Sequence, residues 1–227
     1  MPAVPQRVPI LEYHVIANPQ PGAPYPKLYV RTRDFSIEMS WLARHGFHAV
    51  KLDRVLAAWT RGKPLPRRPV VLTFDDGYRS VYTHAFPILR EYRWPGNVNL
   101  VVRRTQFAAG LPPRRVRALI AADWEIDAHT MTHADVTTLS GARLRYEIAG
   151  SRRWLRRHFH VPVHFFCYPS GHYDARAIAA VRAAGYLGGE SEQQGFATLP
   201  ERWAMPRIRV NLDEPLSAFA HALEVRR

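Results

Sequence analysis

Sulfur chemistry is almost missing from this chain: Cys167 is the only cysteine in 227 residues. A single thiol excludes an intrachain disulfide and any cluster of thiolate ligands, so a metal site has to be built from His, Asp or Glu. Cys167 itself reads as a small buried apolar residue. Lysine is scarce too, with Lys27, Lys51 and Lys63 the only ones among 32 basic residues. No run of about 18 apolar residues occurs, which excludes a membrane-crossing helix. The stretch from Met1 to Pro9 lacks the apolar core of a signal peptide, leaving either a protein kept inside the cell or a mature piece without its leader. Zinc fingers, RNP-type aromatic strands and basic zippers are absent as well. The net charge of +13 is carried by scattered arginines, such as Arg114, Arg115 and Arg117 or Arg152, Arg153, Arg156 and Arg157. Charge alone is nonspecific, so no dedicated nucleic-acid partner is expected; an Arg-rich solvated surface, or peripheral contact with an anionic envelope, accounts for it.

A composition that is 47% hydrophobic and 11% aromatic gives a folded chain with a full core, read as one domain from Val8 to Leu223. Apolar strands alternate with amphipathic helices throughout. Strands are expected over Val8–His14, Val70–Phe74, Asn97–Arg103, Trp124–Ala128, Val163–Tyr168, Tyr186–Gly188 and Trp203–Val210. Helices are expected from an Asp34 N-cap to Arg44, then over Leu52–Ala58, Ser80–Tyr92, Pro112–Ala122, Gly141–Phe159, Asp174–Ala184 and Pro215–Leu223. The alternation predicts a largely parallel α/β sheet, open or closed into a barrel, with ligands at the ends of the strands.

Two signals carry chemistry. The run Val70-Val71-Leu72-Thr73-Phe74 ends in adjacent carboxylates, Asp75 and Asp76, followed by Gly77; His129 and His133 stand four apart after another apolar strand. Alone, Asp-Asp-Gly is an ordinary turn sequence and a His pair is an ordinary pair. Together they offer two imidazoles and a carboxylate to one divalent ion, with the second carboxylate left to act as a base on water. Four-residue spacing puts both rings on one side if the segment is a helical turn.

Thr73-Phe74-Asp75-Asp76-Gly77 and His129-Thr130-Met131-Thr132-His133 resemble the first two motifs of the polysaccharide deacetylases, the NodB-homology or carbohydrate esterase family 4 enzymes. Val8–His14, Phe166–Gly171 and Met205–Val210 are similar to segments of the branch that contains the poly-N-acetylglucosamine deacetylases. The resemblance implies a distorted (β/α) barrel of seven or eight strands. It also implies a hydrolase that removes N-acetyl groups from an amino-sugar polymer or oligosaccharide. Asp75 matches the base; Asp76, His129 and His133 match the ligands of a metal, usually zinc, with cobalt or nickel as substitutes. His14 matches the general acid, and Tyr168, with Pro169, Ser170 and Gly171, matches the oxyanion and substrate segment.

Three departures stand out. Cys167 occupies a place where many relatives have an orienting Arg, for which Arg207 is the candidate replacement. Ser170 replaces an aromatic. Glu12 precedes the Tyr13-His14 pair, and a carboxylate there is expected to favour the charged imidazole. Tyr13, Trp124, Tyr173 and Trp203 are read mainly as core. The family implies an extracytoplasmic or envelope setting. The rival readings are an O-acetyl glycan esterase of the same fold and a catalytically silent envelope-binding module.

Overall fold

A computed structural model describes residues 7–224. Among them, parallel strands close into a ring in chain order: β1 (Ile10–Tyr13), β2 (Pro69–Asp76), β3 (Asn97–Leu100), β4 (Glu125–Ala128), β5 (Phe165–Cys167), β6 (Gly188–Gln194) and β7 (Met205–Arg209). β1 pairs with β2 through Ile10↔Val71 to Tyr13↔Phe74, and with β7 through Leu11↔Ile208, which closes the ring. The barrel is thus (β/α)7, single-domain and distorted. β4 and β5 share a single registered pair, Ala128↔Phe166, and β6 slips register against β7 between Glu190 and Gln194.

Helices cover the outside: α1 (Thr32–Arg44), α2 (Leu52–Arg61), α3 (Phe86–Glu91), α4 (Pro113–Ala121), α5 (Gly141–Arg145), α6 (Ser151–Phe159), α7 (Ala175–Ala183) and α8 (Leu216–Glu224). The helix expected over Gly141–Phe159 is α5 and α6 joined by the π-turn Tyr146–Gly150. Asp34 is not the cap of α1. The helix starts at Thr32, and Asp34 sits in its first turn, 3.6 Å from Arg31, where a carboxylate complements the helix dipole.

Side chains alternate between the two faces of each strand. The outward set, including Leu11, Tyr13, Leu72, Phe74, Val98, Ile126 and Phe166, packs with Phe35, Met39 and Trp41 of α1 and with the other helices. Phe74 anchors this layer, stacked on Tyr13 at 5.7 Å and Trp124 at 5.5 Å, with Phe35 at 5.9 Å. Tyr13 and Trp124 are therefore core, as read. The inward set is largely polar: Glu12, Thr73, Asp75, Asn97, Asn99, Glu125, Asp127 and Arg207 are all buried. Only the N-terminal mouth is apolar, where Ile10, Val71, Phe165 and Met205 cluster with Leu52, Val55 and Leu56 of α2.

β6 corrects the sequence reading most. A brief strand was expected to end at Gly188; the strand begins there and runs through Glu190, Ser191 and Glu192. Its polar text hides it, because its buried residues face a charged barrel interior instead of an apolar one.

Truncating Phe74 to Ala removes the hub of an aromatic cluster and is expected to cost about 3–5 kcal/mol in urea denaturation. A second outcome concerns Glu38, buried on α1 with the Tyr13 hydroxyl donating to it at 2.8 Å. Burial pushes Glu38 up from 4.5 to about 8. A raised folded value means its contribution is full below the unfolded value and is lost as pH rises through about 8. The melting temperature should fall less over that window in Glu38→Gln than in the wild type.

Candidate active site

The C-terminal ends of β2, β4 and β5 deliver the predicted residues to one place. Asp76 closes β2 with φ 72, and Gly77 follows at φ 80, so the chain turns sharply out of the barrel. A Cβ on Gly77 would lie 2.2 Å from Leu100 Cδ1, which is why the turn takes glycine.

His129 and His133 follow β4 on an irregular loop, not on the helical turn that their spacing allowed. Thr130 and His133 both adopt φ 67. Side chains hold this loop: Glu147 accepts from the N–H groups of Met131 and Thr132 at 2.9 and 3.0 Å, and Thr130 Oγ1 accepts from His133 N–H at 2.8 Å. The rings nonetheless meet, with centroids 4.8 Å apart.

Asp76 Oδ1 lies 3.4 Å from His133 Nε2 and 3.8 Å from His129 Nε2, and one ligand atom from each residue falls within 4.8 Å of the others. Donors about 2.1 Å from a tetrahedral ion are about 3.4 Å apart, so the spacing suits one cation. The chemistry of the donors fits as well. Asp76 Oδ1 is buried without a hydrogen-bond donor. His129 Nδ1 is turned to the Cys167 carbonyl at 2.8 Å, which leaves Nε2 facing Asp76. Burial pushes His129 down to about 4, holding the imidazole neutral as ligation requires.

Asp75 points elsewhere, beneath the cleft floor and 1% exposed. Arg207 grips it bidentately, Nη1 to Oδ1 at 2.9 Å and Nη2 to Oδ2 at 2.8 Å, while Asn99 donates to Oδ1 at 2.8 Å. The Cys167 thiol lies against the same pair, 3.4 Å from Asp75 Oδ2. Arg207, fully buried, also reaches Thr73 Oγ1 at 3.1 Å, the Ser191 carbonyl at 2.9 Å and Glu12 at 3.2 Å. The candidate Arg207 is thus in direct contact with both oxygens of Asp75. Burial opposes ionisation of Asp75, but the Arg207 guanidinium outweighs it and holds the carboxyl well below its usual range. Glu12 and Glu190, which share the same cation less closely, are pushed up by burial to about 8 and about 7.

His14 borders the cleft at 6% exposure, and one ligand atom from each of His14, Glu12 and Asp75 falls within 4.8 Å of the others. The expectation that Glu12 would charge His14 fails. Glu12 is 3.9 Å from His14 Nδ1 but is itself pushed up to about 8 by burial, which weakens it as a counter-charge, and burial lowers His14, with Asp75 and Asp76 pulling the other way.

The Tyr168–Gly171 segment has most of its backbone N–H groups already engaged. Tyr168 N–H is spent on the Glu190 carbonyl at 3.0 Å and its hydroxyl on the Trp203 carbonyl at 2.9 Å. Gly171 N–H bonds Tyr168 O at 2.9 Å, and Pro169 has no N–H to give. Ser170, at φ 54, lines the cleft, and its N–H has no backbone acceptor among the described residues.

The cleft, of about 690 Å³, is bordered by His14, Asp76, His129, His133 and Ser170, with Tyr25, Tyr78, Arg104 and Arg209 on its walls. Trp203 lies away from it and Tyr173 packs on Tyr168. Sequence reasoning missed Asn99, Glu190 and Arg104, whose Nη2 is 3.3 Å from Asp76 Oδ2. The alternation Asn97-Val98-Asn99-Leu100 was the available signal for Asn99, since it puts amides inside an otherwise apolar strand.

The profile of the polysaccharide deacetylases matches residues 62–189. The chain belongs to the polysaccharide deacetylase family. It is 26% identical over 97% of its length to the Bacillus subtilis protein YxkH, assigned to the same family, and covers 77% of that protein. It is 28% identical over 86% of its length to the Escherichia coli poly-β-1,6-N-acetyl-D-glucosamine N-deacetylase, of which it spans 35%. The fold is shared with the Streptococcus pyogenes deacetylase PplD (TM-score 0.90, 23% identity, 96% of this chain and 98% of that one). It is shared also with IcaB of Ammonifex degensii (TM-score 0.81, 20% identity, 98% of both chains).

Within this family barrel the Asp75–Arg207 pair is a structural dependency. Arg207→Met leaves a buried carboxylate unpaired and is expected to cost about 3–5 kcal/mol. Adding Asp75→Asn removes that charge, so the double variant should be more stable than Arg207→Met alone in urea denaturation.

Proposed function

We propose that this polysaccharide deacetylase is a metal-dependent amidohydrolase that removes N-acetyl groups from an amino-sugar polymer or oligosaccharide and releases acetate. The observation that carries the reading is the division between two adjacent carboxylates. Asp76 converges with His129 and His133, while Asp75 is withheld on Arg207. The three converging residues would hold zinc, or cobalt or nickel in its place, as a Lewis acid that polarises the acyl oxygen and acidifies water.

The remaining roles belong to the chain. Asp75, kept ionised and aimed by Arg207, accepts the proton of the attacking water. Ser170 N–H, in place of Tyr168, donates to the developing oxyanion. His14 gives a proton to the departing amine, which is a poor leaving group without one. Buried His14 takes up that proton next to Asp75 and Asp76, whose charges favour the imidazolium against the cost of burial. Arg104 and Arg209 offer hydrogen-bond donors along the cleft for sugar hydroxyls or carbonyls.

Relatives named as N-deacetylases of poly-β-1,6-N-acetyl-D-glucosamine in Escherichia coli and Staphylococcus aureus favour the amide over the O-acetyl ester. The presence of Asp75, Asp76, His129 and His133 together speaks against a silent binding module. An envelope setting fits the net charge of +13 and the exposed Arg153, Arg156 and Arg157 of α6. Among the described residues no helix is long and apolar enough to cross a membrane.

The test is acetate release from N-acetylglucosamine oligomers after chelation and zinc add-back. Asp75→Asn should retain zinc and lose about 10²–10⁴-fold in turnover. Full activity in that variant would remove Asp75 from the role of base. His14→Ala should slow the amide far more than an O-acetyl ester; equal losses on both would remove His14 from the role of acid to the leaving amine.

A further inference from the structure

A second group of metal-ligating side chains lies at the opposite, N-terminal mouth of the barrel. Asp53 stands in the first turn of α2, Glu125 is the first residue of β4, and His164 immediately precedes β5. One ligand atom from each falls within 4.8 Å of the others, and His164 Nδ1 is 3.7 Å from Glu125 Oε1.

The arrangement is built, not incidental. Glu125 is 9% exposed, and its other oxygen, Oε2, accepts from Asn97 Nδ2 at 2.7 Å and from the Asp53 N–H at 3.1 Å. That fixes the Glu125 carboxylate and draws α2 onto the barrel. Asp127 Oδ1 accepts from the N–H groups of His164 and Phe165, both at 2.8 Å, which fixes the segment carrying the imidazole.

Two oxygens in this cluster have no donor. Asp53 Oδ1 and Glu125 Oε1 are both buried and unbonded. The nearby cations do not serve them: Lys51 Nζ is engaged with Asp123 Oδ1 at 2.6 Å, and neither Arg54, Arg61 nor Arg202, which border the adjoining cleft of about 500 Å³, donates to either atom. Leaving buried carboxylate oxygens unpartnered is costly unless a cation takes the place of donors.

We propose that Asp53, Glu125 and His164 form a second divalent-cation site, separate from the catalytic cleft, binding a first-row ion such as Zn²⁺. One imidazole nitrogen and two carboxylate oxygens are a donor set such an ion accepts, with water from the adjoining cleft completing its shell. The site is structural. It joins α2 to β4 and β5 at the end of the barrel remote from catalysis, and so closes the mouth that Ile10, Val71, Phe165 and Met205 line.

The experiment uses the full chain, stripped with chelator and titrated with Zn²⁺ by calorimetry, with elemental analysis after dialysis. His164→Ala should lower the bound zinc by one ion per chain and leave acetate release unchanged. Asp53→Asn, a milder change, should weaken the same ion at least tenfold. In a His133→Ala background, which removes a cleft ligand, zinc should still raise the melting temperature, and adding His164→Ala should abolish that rise. The proposal is overturned if zinc stoichiometry and affinity are the same in wild type, His164→Ala and Asp53→Asn. It is overturned equally if the zinc-dependent rise persists in the double variant. Failure here leaves the cleft assignment untouched, since that rests on His133 and not on His164.

Discussion

One guanidinium organises the interior of this barrel. Arg207 is fully buried and faces the carboxyls of Asp75, Glu12 and Glu190. A single positive charge in a low-dielectric interior can offset the desolvation of one closely hydrogen-bonded carboxylate, not of several. Asp75 takes it, because only Asp75 receives both forks of the guanidinium and an amide from Asn99 as well. Glu12 and Glu190, which hold the guanidinium less closely, are pushed toward protonation by burial, to about 8 and about 7. Asp75 is therefore a buried anion held in a fixed orientation next to the cleft. Cys167 is small enough to let Arg207 reach across from β7, and an Arg at its place would compete for the same carboxylate.

That constraint explains why two neighbouring aspartates behave differently. Successive strand residues point to opposite faces, and Asp75 continues the inward series of Thr73 while Asp76 falls where the chain leaves the strand. The left-handed conformation of Asp76 swings its carboxylate toward the His129–His133 loop. The loop is set in turn by Glu147, a buried carboxylate that satisfies backbone N–H groups and belongs to the helical rod outside the barrel. Site geometry thus depends on both the inner polar column and the outer helices.

Much of this was legible in the sequence, and the parts that were not share a cause. β2 was readable because its buried residues are β-branched and end at Asp75-Asp76. Tyr13 and Trp124, which stack on Phe74, were read as core residues. β6 was not, since Glu190 and Ser191 are buried by polar partners that hydropathy cannot anticipate. The two histidines do meet, but not on the backbone their spacing suggested: spacing reports which side chains can meet on a helix, and here a side-chain-braced loop brings them together by another route. Arg207 was named as a candidate only through the resemblance; nothing local in Met205-Pro206-Arg207 distinguishes a buried ion-pair partner from a surface residue. Tyr168 was assigned by its place in the motif, and a motif does not show that its backbone N–H is committed to the Glu190 carbonyl.

The central claim is that Asp76, His129 and His133 share one cation while Asp75 stays on Arg207. Anomalous diffraction from zinc-loaded crystals tests it directly. The account predicts a peak about 2.0–2.2 Å from Asp76, His129 Nε2 and His133 Nε2, with the Asp75 carboxylate still paired to the guanidinium. A cleft without a peak, or an ion ligated by Asp75 after the pair with Arg207 has broken, would contradict it.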